Sequence, residues 1–326
     1  MEKNRILKWL LIAALAVALT VGIALLAKRA PAPDVPEERQ DTPEEQPDAP
    51  EEQPDTPEEE SVALEFASLG VEFVIGERDS GALLELKKTF PALLKAALEA
   101  QGCTVSDVNL TFGTSAAATV QALRSGEVQL AWLPSEVYAA EGGALHALAE
   151  EIRPAEAEET LGVYLTCTQA ARKLAEQSGT AEELLQLSWA IPAGDETALR
   201  FLDSFLTARC GKDADALTNV TLYRTRDDLN PDGVDAVVLY ADETDGLALS
   251  GVLDTLPLCG ECVVAGDDEV LRSAAFRRAF QAALAALTQP DTDGAAALAR
   301  YGSGEYRAVS DADFARLRFV LGEAEP

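Results

Sequence analysis

From residue 62 onward, short apolar runs alternate with amphipathic stretches along the whole chain. The run at 72–76 predicts a strand. Apolar positions Leu83, Leu86, Phe90, Leu94 and Leu98 recur at helical spacing and predict a helix over 83–101. A strand over 108–112 follows, then a turn, a short helix and a buried strand over 128–133. Thereafter the pattern predicts a helix at 144–151, a strand at 161–166, a helix at 181–186 and a strand at 187–191. A helix at 196–208 and strands at 220–223, 235–240 and 262–265 come next. Helices over 269–287, 294–301 and 311–321 close the chain. This alternation implies an α/β fold whose mostly parallel strands are covered on both faces.

One stretch carries more than packing. Gly113-Thr114-Ser115 sits between a strand and a helix, and Thr114 or Ser115 can cap that helix. The free amides of such a turn favour negative charge, as does the helix dipole. The layout is loosely echoed downstream, where SWAIPAGDETALRFLDSFL precedes DGVDAVVLYADETD. Two such units imply two similar lobes, with a ligand held between strand ends and helix N-termini.

The first 61 residues follow a different pattern. Residues 9–27 contain no charge, and 19 apolar or small residues come close to the length that spans a bilayer as a helix. Lys3, Arg5 and Lys8 precede this run, and Lys28 and Arg29 follow it. An uncleaved signal anchor fits better than a cleaved secretory signal, whose apolar region is shorter and whose cleavage site would here fall between Arg29 and Pro31. Residues 30–61 repeat DTPEEQP, DAPEEQP and DTPEEES. Proline in each repeat forbids a helix, and like charges stretch the chain, so a disordered acidic linker is expected.

The net charge of −30 argues against a nucleic-acid partner, which needs basic patches. Taking away the +4 of residues 1–29 and the −12 of the linker leaves −22 on the remainder, so the folded part is itself acidic. The single histidine, His146, reads as a helix-surface residue without a nucleophile motif beside it. Five cysteines make no disulfide framework. Cys259 and Cys262 form one CxxC without a second pair, which leaves a local disulfide or two free thiols. With no P-loop, metal-ligand cluster or nucleophile elbow, neither an enzyme nor a cofactor is expected.

At this point the residues resemble a known family. GTSAAATVQALRSGEVQLAWLPSEVYA is similar to a segment of the phosphate/phosphite/phosphonate ABC transporter substrate-binding protein family. FVIGERDSGALLELKKTFPALLKAALEAQG resembles that family's first strand, Arg-Asp turn and long helix. VDAVVLYADETD resembles its second-lobe strand, and ALARYGSGEYRAVSDADFARLRFVL its ending. The resemblance implies a two-lobed type 2 periplasmic-binding-protein fold, preceded here by a transmembrane helix and a disordered acidic Pro/Glu-rich tether. Lobe 1 would span about 62–160 and 262–326, and lobe 2 about 161–261.

What the resemblance implies for function is an extracytoplasmic solute-binding protein, held at the cell membrane by a single pass and working with ABC permease subunits. Thr114 and Ser115 would offer donors from lobe 1, and Gly194 and Thr197 from lobe 2. Tyr138, Tyr164 and Tyr240 would line the cleft, and Asp242 with Glu243 would hold a cationic group. The chain departs from the family at these turns. Ala116 stands where an aromatic is usual, and Ala193-Gly194-Asp195-Glu196-Thr197 replaces a serine-rich turn. Pro134-Ser135-Glu136 replaces a glycine-rich one. Asp195 and Glu196 repel a dianion, so the expected ligand is zwitterionic, cationic or neutral rather than inorganic phosphate. The alternative is a binding-protein-like domain that has lost its transport ligand and serves as a surface interaction or sensory module.

Overall fold

The computed structural model describes residues 63–74, 80–154, 157, 159–177 and 180–324. The expected membrane helix, the acidic linker and the Arg78-Asp79 turn lie outside these residues. Among the described residues, no helix is long and apolar enough to cross a membrane.

The elements run in chain order as β1 (Glu65–Phe66), β2 (Leu69–Val74), α1 (Ser80–Ala100), β3 (Thr104–Val105), β4 (Val108–Gly113) and α2 (Ala116–Ser125). Then come β5 (Leu130–Pro134), α3 (Ser135–Glu141), β6 (His146–Glu151), β7 (Thr160–Thr166), α4 (Gln169–Gln177) and α5 (Ala181–Gln186). They continue as β8 (Trp189–Pro192), α6 (Glu196–Cys210), β9 (Val220–Tyr223), β10 (Ala236–Tyr240), β11 (Leu249–Pro257) and β12 (Glu261–Ala265). The last are α7 (Glu269–Arg272), α8 (Ala274–Leu287), α9 (Asp293–Tyr301), β13 (Tyr306–Ala308) and α10 (Ala315–Leu321).

Two sheets carry the fold. The first has the order β13-β6-β12-β5-β2-β4, and the second β11-β7-β10-β8-β9. β2 pairs in parallel with both β4 and β5, as β8 does with β9 and β10. Inside the second sheet β7 runs antiparallel to both its neighbours, as do both β12 and β6 inside the first. Counting strands within each sheet, both read second, first, third, return, fourth. The return strand is the one that brings the chain in from the other sheet. The two sheets thus repeat one topology, although the segments that echo in the sequence are not equivalent in it, since β4 is the second strand of its sheet and β8 the first.

Local chemistry explains the helix ends. The Ser115 hydroxyl accepts from the Ala118 amide, and Gly126 closes α2 in the left-handed region at φ 75°. Asp195 caps α6 in the same manner, and Gly211 ends it. Thr180 and Glu183 form a reciprocal capping box on α5. Each sheet is buried on both faces. Phe73 stacks on Trp132 at 4.3 Å, and Phe90 meets both rings edge-on beneath α1. On the other face Val120, Leu133, Tyr138 and Phe314 pack together. The second sheet packs Trp189 and Ile191 against Phe201 and Phe205 of α6.

The structure corrects several sequence expectations. Residues 146–151 form a strand, not a helix. Ala, Leu and Glu favour helices locally, but this segment is sandwiched between β12 and β13, and pairing with both outweighs that preference. The helix expected over 269–287 breaks at Ser273, whose hydroxyl caps a fresh helix by accepting from the Phe276 amide. α4, β11 and β13 were not anticipated. β11 buries none of its residues fully and leaves Val252 exposed, so it shows no strong apolar run.

Candidate functional site

The sheets are mixed rather than mostly parallel as expected, because β6, β7, β11, β12 and β13 pair antiparallel. In open α/β sheets ligands gather beyond the carboxyl ends of the parallel strands. For the first sheet those ends are Val74, Gly113, Pro134 and Glu151, and for the second they include Pro192, Tyr223 and Tyr240. Between the sheets run two crossovers, which lie side by side. Pro257 pairs with Thr160, and the Leu258 amide donates to the Glu159 carbonyl at 2.9 Å. Glu159 adopts φ 57°, a left-handed backbone unusual for glutamate.

A pocket of about 470 Å³ opens at these crossovers, within the range of small-molecule sites. Pro134, Glu136, Glu151, Arg153, Cys259 and Glu261 are among its lining residues. Other cavities, of about 210 and 460 Å³, lie against α4 and α5 behind the second sheet, away from the strand ends.

Several polar groups of this pocket hold one another in place. The Arg153 Nη1 donates to the Cys259 sulfur at 3.0 Å, and the Ser135 amide to the Gly260 carbonyl at 2.9 Å. Burial pushes the Cys259 thiol up to about 11, a hydrogen bond with Glu159 adds to this, and Arg153 opposes it. Burial also pushes the Glu136 carboxyl above its ordinary value, with the Glu159 charge adding and Arg153 again opposing. The Glu136 Oε2 is buried and has no hydrogen-bond partner among the described residues. On the far side of the pocket, Glu261 accepts from Ser303 and from the Tyr306 hydroxyl, and Glu151 from the Gly304 amide.

The second sheet offers a different cluster. The Tyr240 hydroxyl donates to the Asp195 Oδ2 at 3.1 Å, while the Asp195 Oδ1 caps α6. Burial pushes Tyr240 up to about 12, with the charges of Asp195, Glu243 and Glu159 adding to it. Arg226 donates to the carbonyls of Glu243 and Asp245, which ties the β9 and β10 ends together. Glu159 acts electrostatically on Glu136 from one sheet and on Tyr240 from the other. It therefore sits between the two clusters.

Most residues singled out in the sequence fall near these strand ends, although they do not share one surface. Thr114, Ser115, Gly194, Glu196 and Asp242 are exposed, and Thr197 and Glu243 are half-buried. Ser115 and Asp195 spend a side-chain oxygen on their helix caps. The Glu243 carboxylate accepts from the Tyr240 amide at 3.2 Å. Tyr164 is half-buried, its ring lying over Gly162. Tyr138 is fully buried, set edge-on to Phe314 at 4.8 Å. Glu136, Arg153, Glu159 and Cys259 were not singled out as binding residues. The signs available were the Pro134-Ser135-Glu136 turn, the Cys259 CxxC and position, since these residues sit at a strand end or in the crossovers.

No protein-family model matches the chain, and no curated protein does. Solved structures similar to it include PhnD1 from Prochlorococcus marinus in complex with methylphosphonate, at 12% identity and a TM-score of 0.39, covering 79% of this chain and 99% of that one. A binding protein component of an ABC phosphonate transporter from Pseudomonas aeruginosa is 13% identical with a TM-score of 0.39, covering 79% and 86%. The periplasmic aliphatic sulphonate binding protein SsuA from Escherichia coli is 15% identical with a TM-score of 0.35, covering 77% and 84%.

Proposed function

We propose that this chain is a solute-binding protein that captures a small polar ligand between two lobes, one built on each sheet. The observation that carries the proposal is the repeated strand order, in which the chain enters each sheet from the other through an interior return strand and a pocket opens at the paired crossovers. The sequence resemblance supports the finer reading of a membrane-tethered receptor for an ABC importer, anchored through residues 9–27 and spaced from the bilayer by residues 30–61. No catalytic role is assigned to the site residues. The Cys259 thiol is held protonated, and the acids serve as caps or sit in the pocket wall.

The same geometry bears on the ligand class. Glu136, Glu151 and Glu261 line the pocket against Arg153 as its basic residue. Three carboxylates against one guanidinium in the lining favour a donor or a cation over a phosphate dianion. The ligand is accordingly read as zwitterionic or cationic, for example an aminoalkylphosphonate or a small amine. A thermal-shift screen followed by calorimetry tests this. Saturable stabilisation by an amine-bearing ligand, lost in Glu136→Gln, is the expected result. Stabilisation by phosphate or methylphosphonate alone would refute the ligand class. Stabilisation by no small molecule would favour the interaction or sensory role.

A further inference from the structure

The C-terminal segment touches both halves of the molecule. Residues 311–314 form a short 3-10 turn that leads into α10, and alternate faces of this segment meet different sheets. Toward the first sheet, the Asp311 carboxylate accepts from the Tyr138 hydroxyl at 2.6 Å and from the Ala147 amide at 2.7 Å, and it faces the His146 ring at 3.3 Å. Phe314 and Leu317 are buried in the core that also holds Tyr138, Leu133 and Val264. Arg318 donates to the Ala139 and Asp311 carbonyls and lies over the Tyr138 ring at 5.2 Å.

Toward the second sheet the partners change. Arg316 forms a two-pronged ion pair with Asp254 of β11, at 2.5 and 3.3 Å. Its Nε donates to the Ser204 hydroxyl at 3.0 Å, and its guanidinium lies 5.0 Å from the Phe201 ring centre. Val320 is buried in the core of Phe201, Phe205 and Leu202, with Phe319 packed against it. Positions 314, 317 and 321 thus share one helical stripe, and 316, 319 and 320 share another.

The two grips differ in kind. The grip on the first sheet centres on the hydrogen bonds of Asp311, whose side chain keeps 40% exposure, with Tyr138 and Phe314 almost wholly out of water. The grip on the second rests on Arg316, whose side chain keeps 33% exposure, opposite Asp254 at 24%, together with Val320. An ion pair that keeps this much contact with solvent weakens with salt.

We infer that residues 311–321 are a strap that fixes the angle between the sheets, held on the first through Asp311 and Phe314 and latched on the second through Arg316 and Asp254. The covalent crossovers permit hinge motion. The strap decides the angle at which that motion starts. It stands on contacts alone, so it holds whether or not the pocket binds a solute.

The test uses the full chain in detergent, with spin labels on unnatural residues placed at the exposed positions Lys87 and Lys212. Wild type should give one narrow distance distribution. Arg316→Asp should shift and widen it toward longer distances, and combining Arg316→Asp with Asp254→Arg should restore it. High salt should move wild type in the direction of Arg316→Asp. If Arg316→Asp does not fold by circular dichroism, Asp254→Asn removes the charge more gently and should widen the distribution in the same sense. A folded Arg316→Asp or Asp254→Asn with the wild-type distribution would overturn the strap. So would a widening that the charge swap fails to reverse.

Discussion

Replacing Tyr138 by Phe separates a packing role for this residue from a ligand-lining one. The substitution keeps the ring, which is fully buried against Phe314, and removes only the hydroxyl that donates to Asp311 at 2.6 Å. A hydrogen bond to an ionised group contributes about 1.5–3 kcal/mol. The Asp311 side chain retains 40% exposure, so water replaces part of the lost bond and the lower end, about 1.5 kcal/mol, is expected. In a folded unit of this size each kcal/mol lowers Tm by about 2 °C, which gives a drop of about 3 °C. Differential scanning calorimetry across pH adds a second check. Burial works against the charge of Asp311, but bonds from Tyr138, the Ala147 amide and His146 hold its carboxyl below the ordinary 3.8. A depressed acid contributes stability that is present above its unfolded pKa and lost as pH falls through the folded one. The deficit of Tyr138→Phe should therefore be constant near neutrality and close below about pH 3.8. An unchanged Tm combined with altered ligand affinity would refute the reasoning and return Tyr138 to the cleft.

Glu136→Gln should raise Tm at pH 7–8. Burial lifts the Glu136 carboxyl above its ordinary 4.5, so wild type is most stable below that pH and loses stability as pH rises through the folded value. The advantage of the variant should vanish below pH 4.5, and a variant less stable at neutral pH would count against the unpartnered carboxylate. Asp195→Ala should cost about 1 kcal/mol of cap, or roughly 2 °C, while Asp195→Asn keeps most of the cap. Both should lower the Tyr240 titration midpoint, followed by ultraviolet absorbance, because the Asp195 charge adds to the effect of burial there. A midpoint that stays near 12 in both would show that burial acts alone.

The α/β alternation was legible because its signals are local. Leu86, Phe90, Leu94 and Leu98 repeat every four residues and are all fully buried in α1. The caps at Ser115 and Asp195 follow from residue type and position. His146 shows where locality stops. GGALHALAEE has helical composition, yet its partners β12 and β13 arrive more than a hundred residues later. Tyr138 was misread for a related reason. A tyrosine just past a strand end resembles a cleft residue until the strap arrives from residue 311 to cover it. The pocket was hardest to read, because Glu136, Arg153 with Glu159, and Cys259 come from three separate segments, and the CxxC of Cys259 points to thiol chemistry rather than to a ligand.

The interior position of the return strands has a consequence for the order in which the protein is made. The second sheet is written in one uninterrupted stretch, from Thr160 to Pro257. The first is not. By the time β6 has left the ribosome, four of its six strands exist, but β5 and β6 have no direct partner in each other. The strand that joins them, β12, is encoded beyond the whole second sheet. Until residue 265 emerges, the earlier half carries two facing unsatisfied edges in its middle, and such edges are where strands of other chains add on. The later half of the message therefore finishes first. It must complete its own sheet before it can hand back the strand that closes its elder.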